Sequence, residues 1–161
     1  MLEQLEATPL SSLMREELWG WPLALTIHAF GTAIVVGFML IISLRLLGVF
    51  AVIPYSALQR LFPVIWFGIV LQILSGAALW MAKPTQYTAD VAFLTKLALI
   101  IIGIWLTRSF QVTIKREAST WEASGNAPSG ATTFVAGAFL VWCVVLVTGR
   151  LTAHFGSLAI G

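Results

Sequence analysis

Charge is the scarcest ingredient of this chain. Of its 161 residues only 10% are Asp, Glu, Lys or Arg, while 59% are hydrophobic, well below the charge content of soluble domains. The few charges are bunched, so long stretches carry none. Cysteine is nearly missing: Cys143 stands alone, which excludes a disulfide framework and a thiolate metal site and reads as a small buried apolar side chain. No segment alternates apolar and polar residues between hairpin turns, so a transmembrane β-barrel is excluded. The opening "MLEQLEATPLSSLMREELWG" begins acidic and has no basic stretch ahead of an apolar one, so it is not expected to be a signal peptide. Net charge is only +2 and the basic residues sit at loop ends, so no nucleic-acid partner is expected.

What the chain does have is length of apolar run. A hydrocarbon core of about 30 Å requires roughly 20 apolar residues as helix. Four stretches qualify: "WPLALTIHAFGTAIVVGFMLIISL" (21–44), "LFPVIWFGIVLQILSGAALWMA" (61–82), "VAFLTKLALIIIGIWLT" (91–107, continuing as helix to about 115) and "ATTFVAGAFLVWCVVLVTGRLTAHFG" (131–156). The expected fold is all-α, an integral membrane four-helix bundle forming one membrane domain over 1–161, with spans at about 20–47, 60–82, 91–115 and 131–157. Ahead of them, Pro9 follows Thr8 at a helix start, and Leu10, Leu13, Met14 and Leu18 recur at helical spacing. Residues 9–18 therefore read as a short amphipathic helix at the membrane surface.

Four spans put both ends of the chain on one side. That side carries Arg15 and Lys83 against Glu3, Glu6, Glu16, Glu17 and Asp90; the other carries Arg45, Arg60, Arg108, Lys115 and Arg116 against Glu117 and Glu122. Cytoplasmic loops are enriched in Lys and Arg, so the expected setting is a bacterial inner membrane with both termini periplasmic. "WEASGNAPSGA" (121–131) is the one flexible linker.

Inside the spans the strong polar groups are His28, Gln72, Lys96, Arg150 and His154. At 1.5 Å per residue His28 lies about 12 Å in and Lys96 about 9 Å in, with Arg150 and His154 within about two turns of the surface. All four ionisable groups thus belong to the terminal half of the membrane, on three helices. No Asp or Glu lies in any span, yet a buried charge must be paired or neutralised. Lysine loses its proton readily when buried; arginine cannot, so Arg150 must snorkel, meet carbonyls or meet an anion from elsewhere. Two histidines beside buried cations point to haem b, with imidazole on the iron and propionates on the cations. Four-helix bundles build cofactor sites from inward-facing side chains, and the small residues Gly31, near His28, Gly156, next to His154, and Ser75-Gly76, at similar depth on the second helix, would make room. The competing reading for the histidines is hydrogen-bonded packing, for Lys96 and Arg150 snorkelling, for Gln72 an interhelical hydrogen bond, and for Gly31, Gly37 and Gly76 close helix packing.

The stretches "IHAFGTAIVVGFMLIISLRLLG", "LQRLFPVIWFGIVLQILSGAALW" and "YTADVAFLTKLALIIIGIW" resemble a family of small four-helix bacterial membrane proteins. More distantly, they are similar to HemJ-type protoporphyrinogen oxidases and to the CopD-type membrane domain. The HemJ resemblance implies that a first-helix His, here His28, and a third-helix Lys in a "KL" context, here Lys96, hold haem b. Arg45 and Arg60 match that pattern in kind, whereas "GRLTAHFG" on the last helix departs from it. The cofactor-binding set expected is His28, Lys96, Arg150 and His154, with His28 and His154 on the metal; composition favours His154 as sixth ligand and the resemblance favours Lys96. The expected function is a haem b membrane protein, either an electron-transfer subunit or an oxidoreductase acting on a quinol or porphyrinogen. Expected partners are the lipid bilayer and a quinone or other hydrophobic substrate, with a homo-oligomer or larger redox complex left open. The alternative is a transport or copper-handling module of CopD type, or a structural subunit. Against copper, Met39 and Met81 are too scattered to make a soft site.

Overall fold

The computed structural model describes the backbone of residues 2–158, and the side chains of that range other than residues 2, 3, 10 and 151–158. It is all helix, with no strand among the described residues. The order is α1 (Leu2–Glu6), α2 (Pro9–Glu16), α3 (Gly20–Leu46), a 3-10 segment (Tyr55–Leu61), α4 (Phe62–Ala82), α5 (Pro84–Ala89), α6 (Val91–Ser124) and α7 (Ser129–Leu158). Four of these, α3, α4 with the 3-10 segment ahead of it, α6 and α7, are long and apolar enough to cross a membrane. The protein is a multi-pass membrane helix bundle.

Short polar devices set the helix ends. Thr8 caps α2, its hydroxyl accepting from the Ser11 amide at 3.4 Å, with Pro9 in the first turn. The amphipathic helix α2 lies against α4 and turns sharply into α3. That turn needs Gly20, because a Cβ there would fall 2.3 Å from the Leu13 carbonyl oxygen. Leu13, Leu18 and Trp19 remain exposed, as suits a segment at a membrane interface. Asp90 caps α6 through the Ala92 amide at 2.8 Å. At its other end α6 stops at Gly125, whose φ of 76° is the left-handed conformation glycine adopts freely.

The sequence reading ends the third helix near residue 115, but α6 runs on to Ser124. Its 34 residues span about 50 Å at 1.5 Å per residue, well beyond a hydrocarbon core of about 30 Å. The extension holds because Phe110, Ile114, Ala118 and Trp121 keep a helical stripe buried past the apolar run. Tyr55 packs edge-on to Trp121 with ring centroids 5.8 Å apart. The Tyr55 hydroxyl accepts from the Ala127 amide at 3.1 Å. The Arg45 guanidinium lies 3.9 Å from the centroid of the Tyr55 ring, and its Nε donates to the Ile53 carbonyl. Arg45, buried at 7% exposure, is thus a clamp for the α3–α4 connection.

Helix packing is uneven from end to end. Gly31 and Gly68 let α3 and α4 touch, since a Cβ on Gly31 would come within 2.9 Å of the Gly68 carbonyl. Gln72 donates to the Thr32 hydroxyl across the same pair at 2.5 Å, the interhelical role expected for it. Between α6 and α7, Gly103 receives the Trp142 indole, whose Nε1 donates to Thr107 at 3.0 Å. The fully buried core, with Val35, Ile42, Phe62, Ile65, Phe110 and Trp142, lies toward the end away from the termini. On α6 no residue before Gly103 is buried. Around the bundle α4 packs on α3, α3 on α7 and α7 on α6, while α4 and α6 barely approach along their backbones. The bundle is therefore closed at one end and splayed at the other, where the termini and the strong polar groups lie.

Candidate functional site

The splayed end encloses a cavity of about 510 Å³, inside the range typical of small-molecule and cofactor sites. It lies between α3, α4 and α6, reaching Gly149 on α7, and its walls are almost wholly apolar. The polar side chains in it are few: His28 from α3, Gln72 from α4, Tyr87 and Thr88 from α5 and Lys96 from α6, with the indoles of Trp21 and Trp80 also among its walls.

His28 is held by α4. Its Nδ1 lies 3.0 Å from Ser75 Oγ. Ser75 is buried, and its hydroxyl is 2.5 Å from the Leu71 carbonyl and 3.4 Å from that of Gln72. A serine has one proton to give. With that proton on the Leu71 carbonyl, Ser75 Oγ accepts from His28, which assigns the ring proton to Nδ1. Nε2 then carries the lone pair. This is the tautomer that a metal-ligating imidazole requires, with the other nitrogen fixed by a protein acceptor. Gly76 lies against the ring, where a Cβ would sit 3.4 Å from His28 Cε1, at ordinary van der Waals contact.

Lys96 approaches from the opposite wall. Its Nζ rests in a notch at Gly149, 3.1 Å from where a Cβ would be. It lines the same cavity as His28. No acid answers it: Asp90, the nearest in sequence, is spent on capping α6, and Lys96 makes no hydrogen bond or ion pair with the described residues. An ammonium within a span, facing an apolar cavity without a counter-ion, is a costly arrangement that a bound anion relieves.

Arg150 goes elsewhere. It is exposed and lines a second groove with Leu25, Thr26, Ala29, Phe30 and Ala33 of α3, on the far side of Leu25 from the cavity. Depth alone had grouped it with His28 and Lys96; the rotation of α7 about its axis separates it from them. His154, on the last part of α7, lies outside the described side chains, as does Gly156. Gly31 serves helix packing against Gly68 and makes no room beside His28. No group of three His, Cys, Asp or Glu able to hold a metal occurs among the described residues. Sequence reasoning noted Ser75 only as a small residue. A serine in a span usually satisfies itself on its own helix, and nothing local marked the one that also turns to a histidine.

A short roof closes the cavity toward the termini. Trp80 Nε1 donates to Thr88 at 3.2 Å, and Tyr87 packs on Phe93 with centroids 5.6 Å apart. The roof is tied down from outside. The Thr85 amide donates to Glu6 Oε1 at 3.3 Å and its hydroxyl donates to the same atom. Arg15 donates to the Glu6 and Ala82 carbonyls at 2.8 and 3.5 Å. The Thr85 hydroxyl, above all, holds the Glu6 carboxyl below its ordinary value. Burial pushes the Tyr87 phenol up, with Asp90 adding to the effect.

Fold and site together define a class: a multi-pass helical membrane protein with a polar pair set in an intramembrane apolar cavity. No family model, no curated protein and no solved structure matches the chain.

Proposed function

We propose that this is a haem b protein of a bacterial inner membrane, acting as an electron-transfer subunit or as an oxidoreductase on a hydrophobic substrate of quinol or porphyrinogen type. One observation carries the reading: His28, with Nδ1 fixed by Ser75, and Lys96, without a counter-ion, line one apolar cavity of about 510 Å³. The residues fit the group. Imidazole nitrogen is a common axial ligand of haem iron, and Nε2 of His28 is the atom that would take it. A propionate is the anion that Lys96 lacks. The apolar walls suit a porphyrin face, and Gly76 and Gly149 lie beside the two polar residues. A second protein ligand would come from His154 or, with its proton lost and no propionate paired to it, from Lys96, because the cavity offers no second His, Met or Cys among its described walls. Arg150, across Leu25, has no haem contact in this proposal. The resemblance of "IHAF" and "LTKLALII" to HemJ-type proteins supports the same pair.

When bound, haem supplies the one-electron chemistry; the protein binds, orients and excludes water. Ser75 sets the tautomer of His28, Lys96 neutralises the anionic edge, and the α5 roof keeps water out. Positive residues at the Arg45, Arg60, Arg108, Lys115 and Arg116 end support placing the termini and the cavity toward the periplasm. The test is the visible spectrum of protein purified after haem-replete expression. A Soret band that co-purifies with the protein supports the proposal; its absence removes it.

A further inference from the structure

The wall between α4 and α6 is framed, and the frame is open in the middle. At the end away from the termini the two helices are joined by side chains: Trp66 Nε1 donates to Gln111 at 3.0 Å, and Phe62 meets Phe110 with centroids 6.3 Å apart. At the other end the α5 roof bridges them through Trp80–Thr88 and Tyr87–Phe93. Between these crossbars, from Trp66 to Trp80 on α4, lie fourteen residue steps, about 20 Å of helix. Along their whole length the backbones of α4 and α6 barely approach, and between the crossbars no side-chain hydrogen bond or ring contact joins the two helices among the described residues. The cavity residues along the gap are Ile73 on α4 and Leu94 and Leu97 on α6, exposed at 52, 49 and 42%. All three are apolar, and all belong to membrane spans.

We propose that this gap is a lateral window, through which the cavity takes its ligand from the bilayer and not from water. The ligand class follows from the lining. It is a lipid-soluble molecule with an apolar body to pass the Ile73–Leu97 rim and an anionic or hydrogen-bond-accepting head to meet Lys96 within. The aqueous approach is roofed by α5, which Glu6 and Arg15 pin from the surface. The lipid approach is rimmed by Ile73, Leu94 and Leu97, all apolar. In hydrocarbon an apolar opening between helices costs nothing in unpaired backbone groups, because each helix satisfies its own. The inference rests on the cavity being a binding site and does not require that the ligand be haem.

The test uses the full chain in lipid nanodiscs, with Cys143→Ala removing the one native thiol. A nitroxide is attached at Ile100→Cys, inside the cavity, and its collisions with dissolved oxygen and with a water-soluble nickel chelate are compared by power saturation. A window to lipid gives strong relaxation by oxygen and little by the chelate. Adding Leu97→Trp at the rim, an exposed position that tolerates bulk, lowers the oxygen effect several-fold. Strong relaxation by the chelate, or no access by either reagent, overturns the proposal, as does an oxygen effect indifferent to Leu97→Trp. A second arm uses haem carried in donor vesicles: Leu97→Trp slows the gain of Soret absorption several-fold. If no Soret absorption appears with the unmodified protein, the haem reading fails and the nitroxide result still decides the window.

Discussion

The Nδ1 of His28 sits 3.0 Å from Ser75 Oγ, and that hydroxyl in turn sits 2.5 Å from the Leu71 carbonyl. The chain of donors runs one way, from imidazole to serine to helix backbone, and leaves Nε2 as the free acceptor. Ser75→Ala removes the acceptor and lets the ring turn. It is expected to weaken cofactor retention by roughly 10–100-fold, the usual cost of losing the outer partner of a ligating histidine. Ser75→Thr keeps the oxygen and should restore the wild-type spectrum. A titration of haem into each purified variant, read at the Soret band, checks both. Retention by Ser75→Ala equal to wild type would mean the contact is packing only.

Lys96 gives a prediction with opposite signs in two states. Without a bound anion its ammonium is an uncompensated charge in a span, so Lys96→Leu should stabilise the ligand-free protein, by at most about 3 kcal/mol. With ligand present the same change removes the counter-ion and should lower affinity and the stabilisation that ligand brings. Unfolding in detergent, with and without added haem, measures both. A variant equal to wild type in each condition would place Lys96 as a snorkelling residue with no ligand.

The α3–α4 contact makes a prediction independent of any ligand. A methyl on Gly31 would meet the Gly68 carbonyl at 2.9 Å, so Gly31→Ala must push the helices apart at a cost of about 1–3 kcal/mol. Gly37, with nothing within 4 Å of its would-be Cβ, should accept alanine without loss. Paired thermal unfolding curves of the two variants distinguish crowding from a general intolerance of alanine in α3.

The roof responds to acid through Glu6. The carboxyl is held below its ordinary 4.5 mainly by the Thr85 hydroxyl, with the Thr85 amide and Arg15 adding to the effect. A depressed carboxyl stabilises the folded contact at every pH above its unfolded value and loses that contribution as pH falls through the depressed one. Amide exchange in Pro84–Ala89, corrected for intrinsic rate, should therefore be flat above 4.5 and rise only on further acidification. Glu6→Gln should show faster exchange throughout and no acid step. An exchange profile that changes near neutral pH would point to a group other than Glu6.

Much of this architecture was legible because hydropathy fixes how far along a span a residue lies. The four spans, the Pro9 helix start and the shared depth of His28 and Lys96 all follow from counting at 1.5 Å per residue. Rotation about the helix axis does not follow from counting, and that is where Arg150 parted from Lys96. The end of α6 was misjudged because Lys115, Arg116 and Glu117 end the apolar run, although Phe110, Ile114, Ala118 and Trp121 continue the buried stripe. The sequence reading assigns no helix to the six residues of α5, which Pro84 opens, with Asp90 capping the next helix. The role of Ser75 needs the α3–α4 register, which Gly31 and Gly68 set only in three dimensions.

The most direct test of the account is the absorption and electron-paramagnetic-resonance spectrum of the haem-replete protein and of His28→Ala. The account predicts a Soret band in the wild type and its loss, or conversion to a weakly held high-spin form, in His28→Ala. Parallel spectra of Lys96→Ala and His154→Ala assign the sixth ligand to whichever change turns a low-spin signal high-spin. An unaltered spectrum in His28→Ala, or no Soret absorption in the wild type, would contradict the account.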